Sequence, residues 1–111
     1  MVDVTFLKHF TKGDVKKMKR YISLYLDLAP GAFEEMKCNL KNKDWEQLRI
    51  NAHSLKPQAD FMGINSLKEE LIKIEKAVQT KDFDDLENLF TQSLKIATES
   101  EIILKEILEQ T

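Results

Sequence analysis

Chain breakers are scarce in this sequence. Its 111 residues include three glycines, two prolines and one cysteine. With Val and Thr also sparse, that composition favours helices over strands. Cys38 cannot form an internal disulfide, and a free thiol suits a reducing compartment. No apolar run approaches the roughly 18–20 residues needed to span a membrane. The segment after Met1 is too short and too charged to be a signal peptide. A basic surplus is missing too: the net charge is −2, so little is available to neutralise phosphates. These absences predict a soluble, cytoplasmic protein with no nucleic-acid or membrane partner.

What is present is ordinary for a globular protein. Hydrophobic residues make up 42% of the chain and charged residues 32%. The length allows one domain with one core, residues 1–111. Residues 1–12 read as a short lead-in carrying Val4, Phe6, Leu7 and Phe10. Asp14 is a plausible N-cap for a helix that carries Val15, Met18, Ile22 and Tyr25 to about Leu28. Ala29-Pro30-Gly31 predicts a break, because the residue before a proline avoids the α region. Pro30 would then begin a second helix running to Lys41. Asp44 should cap a third, which ends near Met62 and Gly63. Ser66 and Glu69 have the spacing of a capping box at the start of a fourth. A fifth runs from about Asp84 to Glu109, with Leu86, Phe90, Leu94, Ala97 and Leu104 facing inward. Short polar turns between amphipathic helices give antiparallel neighbours. The expected fold is all-α: an up-and-down antiparallel four-helix bundle with a short N-terminal lead-in helix or segment. The turns Lys43-Asp44-Trp45 and Lys81-Asp82-Phe83 look alike, but the helices between them do not match.

The most informative stretch is Ala52-His53-Ser54-Leu55-Lys56-Pro57. Around it Trp45, Leu48, Ala52, Leu55, Ala59 and Met62 step by three or four, the spacing of a buried helical stripe. His53 lies about 130° from the centre of that stripe, so it should reach water. Arg49, Lys56, Pro57 and Asp60 fall within side-chain reach of it on adjoining turns. Ile50, Pro57 and Phe61 make a small apolar strip beside it, a candidate docking edge. Pro57 takes away the donor that would serve the His53 carbonyl, and its compact ring leaves room above the histidine.

An exposed imidazole on a rigid mount suits nucleophilic catalysis, provided its second nitrogen is held by an acceptor. Glu75 on the fourth helix could be that acceptor if helices three and four pack antiparallel through Gly63. His9 lacks such neighbours and is expected at the surface; Cys38 is expected in the core. A di-iron bundle needs Glu-x-x-His pairs, yet Phe6 and Ile50 stand three residues before the two histidines. A hydrolase triad lacks a nucleophile, because Ser54 points about 100° away from His53.

The pattern resembles the histidine-containing phosphotransfer (HPt) domains. These show Ala-His-x-Leu-Lys-Gly, a glycine ten residues after the histidine, and then a Leu-x-x-x-Leu-Glu-like run. Here stand Ala52-His53-Ser54-Leu55-Lys56, Gly63 and Leu71-Ile72-Lys73-Ile74-Glu75. Gly13-Asp14, Ala29-Pro30 and Asp44-Trp45 resemble further family markers, so the likeness spans almost the whole chain. One position departs: Pro57 replaces the usual glycine. The resemblance implies a free-standing phosphorelay carrier rather than an enzyme. His53 would accept a phosphoryl group from the aspartyl phosphate of a response-regulator receiver domain, including that of a hybrid sensor kinase, and pass it to another receiver. Lys56 would help neutralise the phosphoryl charge, and Glu75 would hold the distal ring nitrogen, leaving Nε2 to react. Arg49, Ile50, Pro57 and Phe61 would meet the partner. No cofactor is implied for this chain, and Mg2+ is expected only on the receiver. An exposed site on a small bundle needs no dimer, so a monomer is expected. The alternative is an HPt-like adaptor that binds receivers without carrying phosphate.

Overall fold

The computed structural model describes residues 1–110. Five helices account for most of them: α1 (Thr5–Phe10), α2 (Val15–Lys41), α3 (Trp45–Phe61), α4 (Asn65–Gln79) and α5 (Leu86–Gln110). Helices α2 to α5 pack in a closed ring, each against its sequence neighbours and α5 back against α2. The result is an up-and-down bundle about 43 Å long and 20 Å across. Its core is continuous through Ile22, Phe33, Met36, Leu48, Leu71, Ile74 and Leu104. The short α1 lies across the end where α3 turns into α4, and its Leu7 is fully buried.

Helix α2 corrects the expected break. It runs unbroken for 27 residues with Pro30 inside it. An interior proline costs about 3 kcal/mol. The buried face Ile22, Tyr25, Ala29, Phe33 and Met36 continues through that point at helical spacing. Each large apolar side chain gains roughly 1.5–3 kcal/mol by burial, so keeping that face in register outweighs the one defect. Pro30 itself sits on the exposed side.

The turns share one construction. Asp44 N–H reaches Asn39 C=O at 2.8 Å, and Asp82 N–H reaches Ala77 C=O at 2.8 Å. Lys43 and Lys81 stand before those aspartates with φ of 55° and 58°. Both are six-to-one closures of a helix C-terminus, which explains the look-alike turns without any repeat. Both turns lie at one end of the bundle, where Trp45 stacks on Phe83 with ring centroids 4.7 Å apart.

Three smaller expectations fail. The capping box at Ser66 does not form: α4 begins at Asn65 after Ile64, which is fully buried and offers no capping side chain. Burial of Ile64 sets the start of this helix. Cys38 is exposed, not in the core, because the buried stripe of α2 passes through Met36 instead. On α5 Leu94 is 40% exposed while Ser93 and Ser100 are fully buried. Their hydroxyls donate to the carbonyls of Leu89 and Ile96, at 2.8 and 2.7 Å, so the small side chains fill the seam without an unpaired group.

Candidate functional site

Helix α3 is fixed from both ends. Asp44 caps its start by accepting from Gln47 N–H at 3.3 Å. Gly63 closes its end with φ of 72°. Between them Leu48, Ala52, Leu55 and Ala59 are buried. Gly63 also meets the N-terminal segment: its carbonyl accepts from Asp3 N–H at 2.9 Å. A Cβ at this position would fall 1.6 Å from the Asp3 carbonyl oxygen. Here glycine is needed for its dihedral and for its lack of a side chain.

The Gly63 turn sends α4 back antiparallel along α3. Asp60 on α3 and Lys68 on α4 pair at 3.1 Å near the turn. Farther along the same seam, His53 meets Glu75. The His53 side chain is 64% exposed and that of Glu75 11%, so the ring stands in solvent and the carboxylate lies beneath it. His53 Nδ1 is 3.0 Å from Glu75 Oε2. A buried carboxylate is an acceptor, so Nδ1 carries the hydrogen and the Nε2 lone pair faces outward.

Lys56 Nζ lies 2.8 Å from Glu75 Oε1. Burial alone would raise the Glu75 carboxyl; the hydrogen bonds and charges of Lys56 and His53 outweigh it and hold the group below its usual range. A lysine on the outer face of a helix is by default solvated, yet the Lys56 side chain is only 27% exposed, and its ammonium is engaged on the carboxylate. The three residues form one chain of polar contacts: Lys56 fixes Glu75, and Glu75 orients His53.

The remaining predicted residues divide. Ile50 is 41% exposed, and Pro57 is exposed within an unbroken α3. Arg49 binds Glu46 through Nε at 3.1 Å, one turn earlier, and not His53. Phe61 is half-buried in an aromatic cluster, with its ring 5.6, 5.1 and 5.3 Å from those of Phe6, Phe10 and Tyr21. Phe6 and Phe10 remain more than half exposed, so the cluster shows an apolar surface to solvent. The sequence places Phe6 and Phe10 in a lead-in that could cover Phe61, but not in an exposed cluster with it. Their i, i+4 spacing on α1 was the available signal. Also unforeseen is the link from α3 to α2 through Asn51 Nδ2 and Asn39 Oδ1 at 2.7 Å. Among the described residues no group of three or more His, Cys, Asp or Glu could hold a metal ion. Nor is any helix among them long and apolar enough to cross a membrane.

The family model for the Hpt domain matches residues 20–111, most of the chain and all of the site. The chain belongs to the Hpt domain family. Hpt domains act in phosphotransfer within two-component signalling, as carriers rather than kinases, and they work with response-regulator receiver domains. The fold agrees. The chain is similar to the crystal structure of histidine-containing phosphotransfer protein B (HptB) from Pseudomonas aeruginosa PAO1, with a TM-score of 0.92, 16% identity, and coverage of 99% of this chain and 96% of that one. No curated protein is similar enough to count as a relative. As an Hpt domain, the chain carries its exposed histidine on the second bundle helix and the acceptor for it on the third.

Proposed function

We propose that this Hpt domain is a phosphorelay intermediate with His53 as its phosphoryl acceptor. The observation that carries this reading is the His53 Nδ1 to Glu75 Oε2 contact at 3.0 Å beneath an exposed ring. Nε2 attacks the phosphorus of an aspartyl phosphate on a receiver domain. The N–P bond forms as the P–O bond to the aspartate breaks, and the carboxylate leaves with the bonding pair. The ring then carries a positive charge with its Nδ1 hydrogen still in place. Glu75 stabilises that charge, most strongly as it develops. Return of the phosphoryl group to a second receiver is the reverse step. The metal ion that screens the moving phosphoryl group belongs to the receiver. This chain contributes a fixed imidazole and a surface to dock on.

Lys56 acts in this scheme through Glu75, holding the carboxylate in place and ionised. It can also turn toward the phosphoryl oxygens once His53 is loaded. Ile50 and Pro57 flank the ring on α3, and the Phe61 cluster extends the apolar surface toward α1. Arg49 lies at the edge of that surface.

The test is transfer of label from a phosphorylated receiver domain. The wild type should take up phosphate as an acid-labile, base-stable adduct, and His53→Gln should take up none. Binding of receivers without any labelled adduct would leave the protein an adaptor. Label on His53→Gln would assign the acceptor elsewhere.

A further inference from the structure

A second feature lies on the α2–α5 side of the bundle, away from the α3–α4 seam that holds His53. A cavity of about 220 Å3 opens there, with Tyr25, Leu26, Pro30 and Phe33 from α2 and Thr98 and Glu101 from α5 among its walls. For scale, an apolar cavity of about 150 Å3 accommodates a benzene ring.

The polar atoms around this cavity are mostly acceptors. The Tyr25 hydroxyl is buried, with the residue only 2% exposed, and has no hydrogen-bond partner among the described residues. A phenol isolated in this way is uncommon, because buried polar groups are nearly always paired. Pro30 has no N–H, so the Leu26 carbonyl lacks its usual donor four residues on. The Thr98 hydroxyl already spends its hydrogen on the Leu94 carbonyl at 2.9 Å, leaving its lone pairs. Two carboxylates, Glu34 and Glu101, stand in the same wall. Glu101 pairs with Lys105 at 2.9 Å, with both side chains at least 40% exposed. Such a pair is weak and gives way readily. The apolar part is Leu26, Ala29, Phe33, Leu94 and Ala97.

We propose that this cavity binds a small organic cation, an ammonium or guanidinium group on a compact apolar body. The cationic head donates to Glu101 and to the oxygens left short of donors, while the body fills the space against Phe33 and Ala97. A neutral body of the same shape gains only the apolar contact, and an anion meets two carboxylates. The site is independent of the phosphoryl carrier reading, since none of its walls belongs to the His53 cluster.

The test uses phenethylammonium as probe and 2-phenylethanol as its neutral counterpart, each titrated into the full chain while backbone amide shifts are followed by NMR. The cation should give saturable shifts confined to residues 25–34 and 94–101. It should bind at least about tenfold more tightly than the alcohol, the scale of a charge-assisted contact. Glu101→Gln, a change at a half-exposed position, should weaken the cation about fivefold or more without weakening the alcohol. Tyr25→Phe should weaken the cation less, and its melting curve reports whether the fold is kept. Absence of saturable shifts at millimolar probe overturns the proposal. So does equal affinity for cation and alcohol, or an unchanged cation affinity in Glu101→Gln.

Discussion

His53 and Glu75 meet across the α3–α4 seam with Nδ1 and Oε2 3.0 Å apart, the ring outside and the carboxylate inside. That asymmetry gives the pair a direction. The buried partner cannot leave, so the exposed partner is the one whose orientation is set.

The first prediction concerns the tautomer. With Glu75 in place, neutral His53 should be predominantly the Nδ1–H form in 15N NMR of the imidazole. Glu75→Ala should shift the population toward Nε2–H, the form favoured by a histidine side chain free in water, and slow phosphoryl uptake by about 10- to 100-fold, the usual cost of losing a group that orients a reactive histidine. Glu75→Gln keeps an acceptor but loses the charge, so it should retain the tautomer and still be slow. An unchanged tautomer in Glu75→Ala would remove the orienting role.

Acid stability tests the same carboxylate from the other side. Folding lowers the Glu75 carboxyl below its ordinary 4.5. The unfolded chain therefore takes up that proton at higher pH than the folded one. The stabilisation is fully present above about pH 4.5 and is lost as pH falls through the lower, folded value. The fall in Tm between pH 5 and pH 3 should be shallower in Glu75→Gln than in the wild type. Parallel curves would mean that Lys56 and His53 do not hold the carboxyl down.

Gly63 predicts a stability effect that depends on another segment. Gly63→Ala forces a Cβ against the Asp3 carbonyl oxygen and onto a φ of 72°. The loss should be about 2–4 kcal/mol, the sum of left-handed strain and a displaced backbone contact. In a chain lacking residues 1–4 the clash is gone, and the same substitution should cost only the dihedral part, about 1 kcal/mol. Urea unfolding of the four proteins gives the comparison. Equal penalties in both backgrounds would show that the N-terminal segment does not press on this turn.

Alkaline unfolding reports on Tyr25. Burial, reinforced by the charge of Glu101, pushes its hydroxyl up to about 12. The unfolded tyrosine ionises near 10, so from there upward the unfolded chain gives up a proton that the folded one keeps. The stabilising contribution is whole below pH 10 and declines until about pH 12, a change of at most about 2–3 kcal/mol. Tyr25→Phe lacks this ionisation and should lose less stability than the wild type between pH 9 and pH 11. The same loss in both proteins would mean that the hydroxyl is not shielded.

The parts of the fold that were legible in the sequence were those fixed by periodicity. The α3 stripe, its Asp44 cap and the Gly63 stop stand where spacing put them, and together they leave His53 in solvent. Glu75 was legible at one remove, because an antiparallel return through Gly63 brings it near the histidine, and the family likeness pointed to the same residue. What failed was judged locally. Pro30's own backbone preference points to a stop, but the apolar face that runs past it decides for a continuous helix. Ser66 matched a capping pattern, yet burial of Ile64 decided where α4 begins. Hydrophobicity alone points Leu94 inward, while Ser93 and Ser100 take the buried positions because each hydroxyl is satisfied within its own helix, by the carbonyls of Leu89 and Ile96. The Lys56–Glu75 contact was not legible, because a lysine on an outer face has no visible partner until the next helix is laid beside it.

The two interior prolines separate stability from function. Pro30 and Pro57 each deny a helix carbonyl its donor, those of Leu26 and His53, and both rings are exposed. Replacing either by alanine restores a bond and removes a steric conflict, so each variant should gain about 1–3 kcal/mol, up to the full interior proline penalty. Their effects on phosphoryl uptake should differ. Pro30 is on α2 beside the α5 cavity, so Pro30→Ala should transfer at the wild-type rate. Pro57 lies one turn past His53 on the same helix, and its ring shapes the edge that a receiver would meet. Pro57→Ala should therefore change the receiver concentration needed for half-maximal rate by about threefold or more, on the scale of a lost apolar contact, while the rate at saturation stays close to wild type. Equal behaviour of the two variants in transfer would make Pro57 a tolerated helix defect and nothing more.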